Sequence, residues 1–161
     1  MLSLIGLGLY DEMDLTLRGI EEAKNSYRAY IELYTGKWHG SIEKLSAIIG
    51  KEIFQLKRND LEENSKKILE EAKNKRVVIF VQGDPLVATT HSSLLAEAKK
   101  QKIEIKVIHN ASIISAIAET GLHIYKFGQT VTIPFPEKTG GKLPQSVYDV
   151  INENQSRGLH T

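Results

Sequence analysis

Arg76-Val-Val-Ile-Phe-Val81, followed at once by Gln82-Gly-Asp-Pro85, is the clearest structural signal in the sequence. A short, unbroken run of β-branched and aromatic residues is typical of a strand buried on both faces of a parallel sheet. Glycine and proline then favour a turn, because glycine tolerates unusual backbone angles and proline fixes one of them. We therefore predict a central strand over residues 76–81 and a tight loop at its carboxyl end.

The sequence on either side alternates short apolar segments with segments of helical spacing. The further predicted strands are Leu2–Gly8, Tyr27–Tyr34, Ile53–Leu56, Glu104–Ile108 and Thr130–Pro134. Helices are predicted after a cap at Asp14 or Thr16 with Leu15 and Leu17 facing the core, between Ser41 and Gly50, and over Asp60–Lys73, Thr90–Lys100, Ser112–Thr120 and Val147–Asn154. This alternation predicts an α/β fold, a mostly parallel sheet with helices on both faces, as a single domain over residues 1–161.

The composition narrows the function classes. The chain has 161 residues, 41% of them hydrophobic, which is enough for a packed core. Lys and Arg number 21 against 20 Asp and Glu, so the formal net charge of +1 gives no electrostatic basis for binding nucleic acid or a membrane surface. The absence of Cys excludes a disulfide framework, a Cys–zinc site and a thiol nucleophile. No apolar run approaches the ~20 residues of a membrane span.

Three loops are the candidate ligand sites. Parallel α/β sheets bind ligands beyond the carboxyl ends of their strands. In this chain those ends are Gly6–Asp11, Gln82–Val87 and His109–Ile113. The residues of these loops are therefore the first candidates for contact with a ligand.

The glycines of the first loop admit two interpretations. Gly6 and Gly8 either form a tight strand-to-helix turn or let a ligand approach the backbone. A dinucleotide fingerprint would need Gly or Ala at position 11, which is Asp11, while Glu32 imitates the acid that binds a ribose. An NAD site is therefore a minor alternative.

The polar residues of the other two loops are equally open. Asp84 is either a fixed carboxylate at the binding edge or an Asx-turn residue, and Ser112 either caps a helix or contacts a ligand. The histidines show no metal-binding spacing, so no metal site is predicted. Among them, His91 and His109 lie closest to the candidate loops.

Four segments together resemble the diphthine synthase family, within the wider tetrapyrrole methylase-like superfamily. They are Leu4-Ile-Gly-Leu-Gly-Leu-Tyr-Asp-Glu12, Gly83-Asp-Pro-Leu-Val-Ala-Thr-Thr-His91, His109-Asn-Ala-Ser-Ile113 and Thr120-Gly-Leu-His-Ile-Tyr-Lys-Phe-Gly128. Their order and spacing match as well. The resemblance runs from Leu2 to Thr161.

The resemblance implies a cytoplasmic, homodimeric methyltransferase of diphthamide biosynthesis. Its cofactor would be S-adenosyl-L-methionine, with S-adenosyl-L-homocysteine as the product. Its substrate would be translation elongation factor two, on the amino group of a histidine extended by an aminocarboxypropyl group. It would bind neither nucleic acid nor membrane, and catalysis would proceed by positioning, without a named catalytic base.

Carried over by position, the resemblance places the cofactor against Leu9, Asp84, Val87, Ser112 and Ile113. Gly6 and Gly8 would leave room in a substrate cleft, and His91 would lie near it. The family pattern continues beyond Thr161 into a second α/β domain, so we expect this chain to be the amino-terminal part of a two-domain enzyme. The alternatives are a tetrapyrrole methyltransferase of the same superfamily and a noncatalytic truncated domain.

Overall fold

The computed structural model describes residues 1–161, which form two compact units, Met1–Ala116 and Ile117–Thr161. The expectation of one domain over residues 1–161 stays a prediction. None of the helices is both long and apolar enough to cross a lipid bilayer.

A five-stranded parallel sheet organises the first unit. Its strands are β1 (Leu2–Gly6), β2 (Arg28–Glu32), β3 (Ile53–Leu56), β4 (Val77–Val81) and β5 (Ile105–Ile108). They lie in the order β3-β2-β4-β1-β5, and every pair is parallel. The predicted α/β class and the central position of β4 are confirmed.

The register of the sheet brings the strand ends together. Val81 at the end of β4 pairs with Gly6 of β1 on one side and with Glu32 of β2 on the other. The loops that follow these strands therefore leave the sheet at the same edge. β1 and β4 are buried along their whole length, as the largely apolar sequence of β1 and the unbroken apolar sequence of β4 predict.

Helices cover both faces of the sheet. They are α1 (Leu17–Lys24), α2 (Ile42–Ile49), α3 (Arg58–Glu62), α4 (Lys66–Asn74), α5 (His91–Lys100) and the short α6 (Ile113–Ala116), with a 3₁₀ turn at Glu12–Asp14. Alternate residues of β4 point to opposite faces: Val77 and Ile79 pack with α3, α4 and α5, whereas Val78 and Phe80 pack with α1 and α2. The two faces thus hold two separate hydrophobic clusters.

The predicted caps are largely correct. The Thr16 hydroxyl accepts a hydrogen bond from Gly19 N, Ser41 caps α2, and Gly50 ends α2 with a φ of 71°. Leu17, in contrast, is 85% exposed rather than core-facing. Gly19 provides the reason, because it lies against Ile5 and turns the opposite side of the helix, with Leu17, to solvent.

Two helix predictions of the first unit need correction. The helix predicted over Asp60–Lys73 is divided into α3 and α4 at residues 63–65. Asn64 and Ser65 lie at the break, and both residue types compete with helical hydrogen bonding. The helix predicted over Ser112–Thr120 is α-helical only at Ile113–Ala116, and a 3₁₀ turn at Ile117–Thr120 follows.

The second unit contains one long helix, α7 (Gln145–Ser156), and 3₁₀ turns at Ile117–Thr120, Ile124–Lys126 and Pro136–Lys138. The strand predicted at Thr130–Pro134 is wrong, because the unit offers no strand beside it to complete the hydrogen bonding. Asn154 is the buried polar residue of the second unit. Its side chain accepts a hydrogen bond from Gln129 N at 3.0 Å and donates one to Gln129 O at 2.8 Å.

Candidate functional site

A cavity of about 300 Å³ opens at the carboxyl edge of the sheet. Four loops line it, those that follow β1, β2, β4 and β5. The lining residues are Gly8, Leu9, Thr35, Gly36, Gln82, Gly83, Asp84, Val87, Ala88, Thr89, Ser112 and Ile113. The three loops selected from the sequence thus meet at one cavity, and the loop after β2 is an addition that the sequence did not indicate.

All five predicted cofactor residues line this cavity, and so does Gly8. Gly6 and His91, predicted for the substrate cleft, do not line it. The structure therefore brings together Leu9, Asp84, Val87, Ser112 and Ile113, whose ligand contacts stay a prediction.

Two glycines join the first and second loops. Gly8 N donates to Gly83 O at 3.2 Å, and Gly83 N donates to Gly8 O at 2.9 Å. Both residues have positive φ, 82° at Gly8 and 66° at Gly83, which favours glycine. A Cβ on Gly8 would also lie 2.5 Å from the Cβ of Asp14. The Gly-x-Gly motif therefore builds the floor of the cavity through its backbone.

Gly6 allows three chain segments to pack closely together. A Cβ there would lie 2.5 Å from Gly83 O and 2.7 Å from the Cβ of Asn110. Asn110 reinforces the contact, because its side-chain amide donates to Gly6 O at 3.0 Å. Gly6 therefore packs against these segments at the end of β1 and does not face the cavity.

Asp14 holds the first loop in place. Its Oδ2 accepts hydrogen bonds from Leu9 N at 2.9 Å and from Tyr10 N at 2.7 Å. These bonds fix the backbone from which the half-exposed Leu9 side chain projects. The sequence suggested Asp14 as a helix cap, but Thr16 performs that role.

Asp84 links the second loop to the third. Its Oδ1 accepts from Leu86 N at 3.0 Å, the Asx-turn arrangement considered from the sequence. Its Oδ2 lies 2.7 Å from His109 Nδ1 and accepts from Asn110 N at 3.3 Å. The carboxylate is buried and accepts from both loops, so it fixes their relative positions.

Ser112 organises the start of α6. Its Oγ accepts from Ile114 N at 3.3 Å, as a helix cap does, and its backbone N donates to Ser115 Oγ at 3.1 Å. The serine is buried, while Ile113 beside it is 60% exposed. The cap thus presents an apolar side chain at the cavity.

A buried pair of an acid and an imidazole, Glu32 and His91, supports the loop after β2, which forms the fourth wall of the cavity. His91 Nε2 lies 3.1 Å from Glu32 Oε1, and both side chains are buried. The hydroxyl of Thr35, a lining residue, donates to the same carboxylate at 2.8 Å. His91 is therefore buried instead of facing the cleft, and Glu32, which is also buried and absent from the lining, is not placed to bind a ribose. A contact between positions 59 residues apart leaves no local signal in the sequence.

Burial and charge also act on a tyrosine beside this pair. The Tyr34 hydroxyl is buried without a hydrogen-bond partner. Burial, together with the carboxylates of Glu32 and Glu62, raises the pKa of Tyr34 to about 12 against a partial offset from Arg58. Tyr34 therefore stays neutral and fills space behind the wall.

The lining has a distinctive chemistry. It combines apolar side chains with hydroxyl and amide groups, and it contains no Lys, Arg or His. A pyrophosphate is usually bound with cationic side chains, and this lining has none, which argues against the NAD alternative. A ligand that carries apolar and hydrogen-bonding groups and a positive charge, but no phosphate, suits it. The volume lies at the lower end of ligand sites, which start near about 300 Å³.

Comparisons with known proteins agree with this geometry. The family model described as Tetrapyrrole (Corrin/Porphyrin) Methylases matches residues 1–157. The chain is 49% identical to a diphthine synthase of Methanocaldococcus jannaschii over 162 residues, which is 100% of this chain and 62% of that protein. It is also 49% identical to a diphthine methyl ester synthase of Schizosaccharomyces pombe, over 100% of this chain and 56% of the relative.

A solved structure gives the same result for the fold. The crystal structure of a diphthine synthase superposes with a TM-score of 0.91 at 40% identity, over 99% of this chain and 62% of that chain. The resemblance found in the sequence is confirmed. The chain spans less than two thirds of the length of these relatives.

Proposed function

Because the chain belongs to the tetrapyrrole (corrin/porphyrin) methylase family, we propose that it binds S-adenosylmethionine in the four-loop cavity and serves methyl transfer. The observation that carries the proposal is the cavity itself, in which the loops after β1, β4 and β5 meet around a lining free of basic side chains. S-adenosylmethionine has no phosphate and carries a positive sulfonium, so a lining without basic side chains does not repel that charge.

The residues of this chain have distinct roles in the proposal. Leu9, Val87 and Ile113 supply apolar surface for the cofactor. Ser112 and the backbone around Asp84 supply hydrogen bonds, because the Asp84 carboxylate is already engaged by His109, Asn110 and Leu86. The bound cofactor supplies an activated methyl group, and the protein aligns an acceptor with it and excludes water.

The proposed acceptor is the modified histidine of elongation factor two. The support is the 49% identity to proteins named diphthine synthase and diphthine methyl ester synthase. The second name adds a distinction, since an ester forms on a carboxylate oxygen and not on an amine. We propose the amino nitrogen as the acceptor, and ester formation is the outcome that the second relative suggests.

Membership of the tetrapyrrole (corrin/porphyrin) methylase family favours one other substrate class, the tetrapyrroles. The homodimer and the cytoplasmic location stay predictions. A noncatalytic domain would bind the cofactor and transfer nothing, so binding and transfer have to be measured separately.

Cofactor binding is tested with two neighbouring residues. Val87 lines the cavity, whereas Leu86 is an exposed residue outside the lining. Titration calorimetry with S-adenosylhomocysteine should show that Val87→Phe, which fills the cavity, weakens affinity at least about 10-fold, a change of about 1.4 kcal/mol. The control Leu86→Phe should bind as the unsubstituted protein does. Equal affinity of all three proteins would place the ligand elsewhere.

Transfer is tested by mass spectrometry of the acceptor. The full-length protein is incubated with S-adenosylmethionine and either elongation factor two bearing the extended histidine or a tetrapyrrole. We expect methyl increments on the factor alone, and they should survive mild alkali because N-methyl groups do not hydrolyse. Increments lost in alkali would identify an ester, and increments on the tetrapyrrole would support the other substrate class.

A further inference from the structure

The exposed imidazole of His109 contacts the buried carboxylate of Asp84, a residue of the cavity wall. His109 directly follows β5, and its Nδ1 lies 2.7 Å from Asp84 Oδ2. The side chain of His109 is 67% exposed, while that of Asp84 is 8% exposed. Asp84 lines the cavity, so the imidazole directly contacts a residue of the cavity wall.

Asp84 determines which ring nitrogen of a neutral His109 carries the proton. A carboxylate only accepts hydrogen bonds, so Nδ1 must be the donor and Nε2 keeps its lone pair. Leu86 N and Asn110 N hold the carboxylate from two loops, which prevents it from turning away. Nε2 makes no hydrogen bond within the protein, so it is free to accept a proton.

We propose that His109 is the general base that deprotonates the acceptor amine, an inference that rests on the proposed function. An amine near neutral pH is largely an ammonium ion and has no lone pair for a methyl group. In the proposed step the ammonium N–H bond breaks, its electron pair stays on the amine nitrogen, and the proton forms a new bond to His109 Nε2. The imidazolium, stabilised by Asp84, then releases this proton to solvent.

Four other titratable groups near the cavity are engaged elsewhere. Glu32 and His91 are buried and paired with each other. Asp14 accepts from two backbone amides, and the His39 ring stacks on Tyr10 with centroids 5.1 Å apart. His109 alone combines an oriented ring, a free nitrogen and an exposed position beside a cavity residue.

The test separates a base from a simple latch between loops. His109→Asn keeps a side-chain donor that can reach Asp84 but removes Nε2. We expect kcat for amine methylation to fall about 10²- to 10⁴-fold, the usual contribution of general acid–base catalysis, with the S-adenosylhomocysteine Kd unchanged within about twofold. His39→Asn, the matched control, should keep its rate. Imidazole added to His109→Gly should restore part of the lost rate.

The tautomer gives a readout that needs no acceptor. Nitrogen-15 NMR of the histidine rings in the cofactor-free protein should show His109 protonated at Nδ1, and Asp84→Asn should abolish this preference. A proton on Nε2 of the neutral ring would overturn the inference. So would an unchanged rate in His109→Asn, or a rate that falls only in parallel with cofactor affinity. If the unsubstituted protein transfers no methyl group, the proposed function fails and the base with it, whereas intact transfer with an unchanged rate in His109→Asn removes only the base.

Discussion

Phe80 and Phe135 show how differently the two units of this chain are built. Phe80 lies in the central strand of residues 1–116 and is fully buried, whereas Phe135 lies in residues 117–161 and is 61% exposed. The contrast is general. The first unit has two hydrophobic clusters, one on each face of its sheet, while Val147 is the one buried hydrophobic side chain of the second.

The two units are held together by different kinds of side chain. In the first unit, apolar side chains from strands and helices interlock, and polar groups such as Asp84 act mainly at the loops. In the second unit, a polar side chain takes the central place, since Asn154 joins α7 to Gln129 and Thr161. The first unit should therefore respond most to lost apolar volume, and the second to lost hydrogen bonds.

The largest expected effect comes from truncating Phe80, with the exposed Phe135 as the matched residue of the second unit. Phe80→Ala should lower the free energy of unfolding by about 3–5 kcal/mol, because it removes a buried ring from a packed core. Phe135→Ala should change it by less than about 0.5 kcal/mol. Urea unfolding followed by circular dichroism measures both values. Equal losses would remove the distinction between the units.

Asn154→Ala should have an intermediate effect, confined to the second unit. It leaves the backbone groups of Gln129 without their partner, at a cost of about 1–3 kcal/mol. Hydrogen exchange of the Gln129 amide should accelerate accordingly, and that of β4 amides should stay slow. The exposed Asn152 provides the control, because Asn152→Ala should leave both unchanged. Faster exchange of β4 in Asn154→Ala would contradict the account.

The smallest expected effect concerns a polar group within the first unit. Burial alone raises the pKa of Glu22, but hydrogen bonds from Lys106 and Ser3 and nearby positive charge outweigh it, so the pKa is lowered from its ordinary value of 4.5. The unfolded chain therefore binds more protons in this range, and stability should fall as the pH drops below about 4.5.

The contribution of Glu22 should be below about 1 kcal/mol, because Lys106 is partly exposed and solvent screens the pair. Unfolding curves between pH 3 and 6 measure it. Glu22→Gln should flatten the acid loss, while the exposed Glu21→Gln should leave it unchanged. An identical acid loss in all three proteins would assign it to other carboxylates.

The sequence predicts most of the first unit because its signals are local. The apolar sequences of β1 and β4 indicate buried parallel strands, and Thr16, Ser41 and Gly50 mark helix ends by their own chemistry. The second unit lacks such signals. Thr130–Pro134 has strand composition, yet a strand also requires a neighbour, which no local pattern reveals.

The candidate site, like the fold, could be predicted only where the sequence carries a local signal. The rule that ligands bind at the carboxyl ends of parallel strands selects three of its four loops. The wall formed by Thr35 depends on Glu32 and His91, and the imidazole of His109 depends on Asp84 in another loop. Such pairings arise only in the tertiary structure, so the sequence could not predict them. Glu32 shows the risk of assigning a role from sequence position alone. Its position imitates a ribose-binding acid, but the side chain is buried and paired with His91.

The central claim is that the four-loop cavity holds the methyl donor, and a crystal structure of the protein with S-adenosylhomocysteine tests it most directly. We predict ligand density between Gly8, Asp84 and Ser112, with apolar contacts from Leu9, Val87 and Ile113. Density at another edge of the sheet, or an empty cavity at a saturating ligand concentration, would contradict the account.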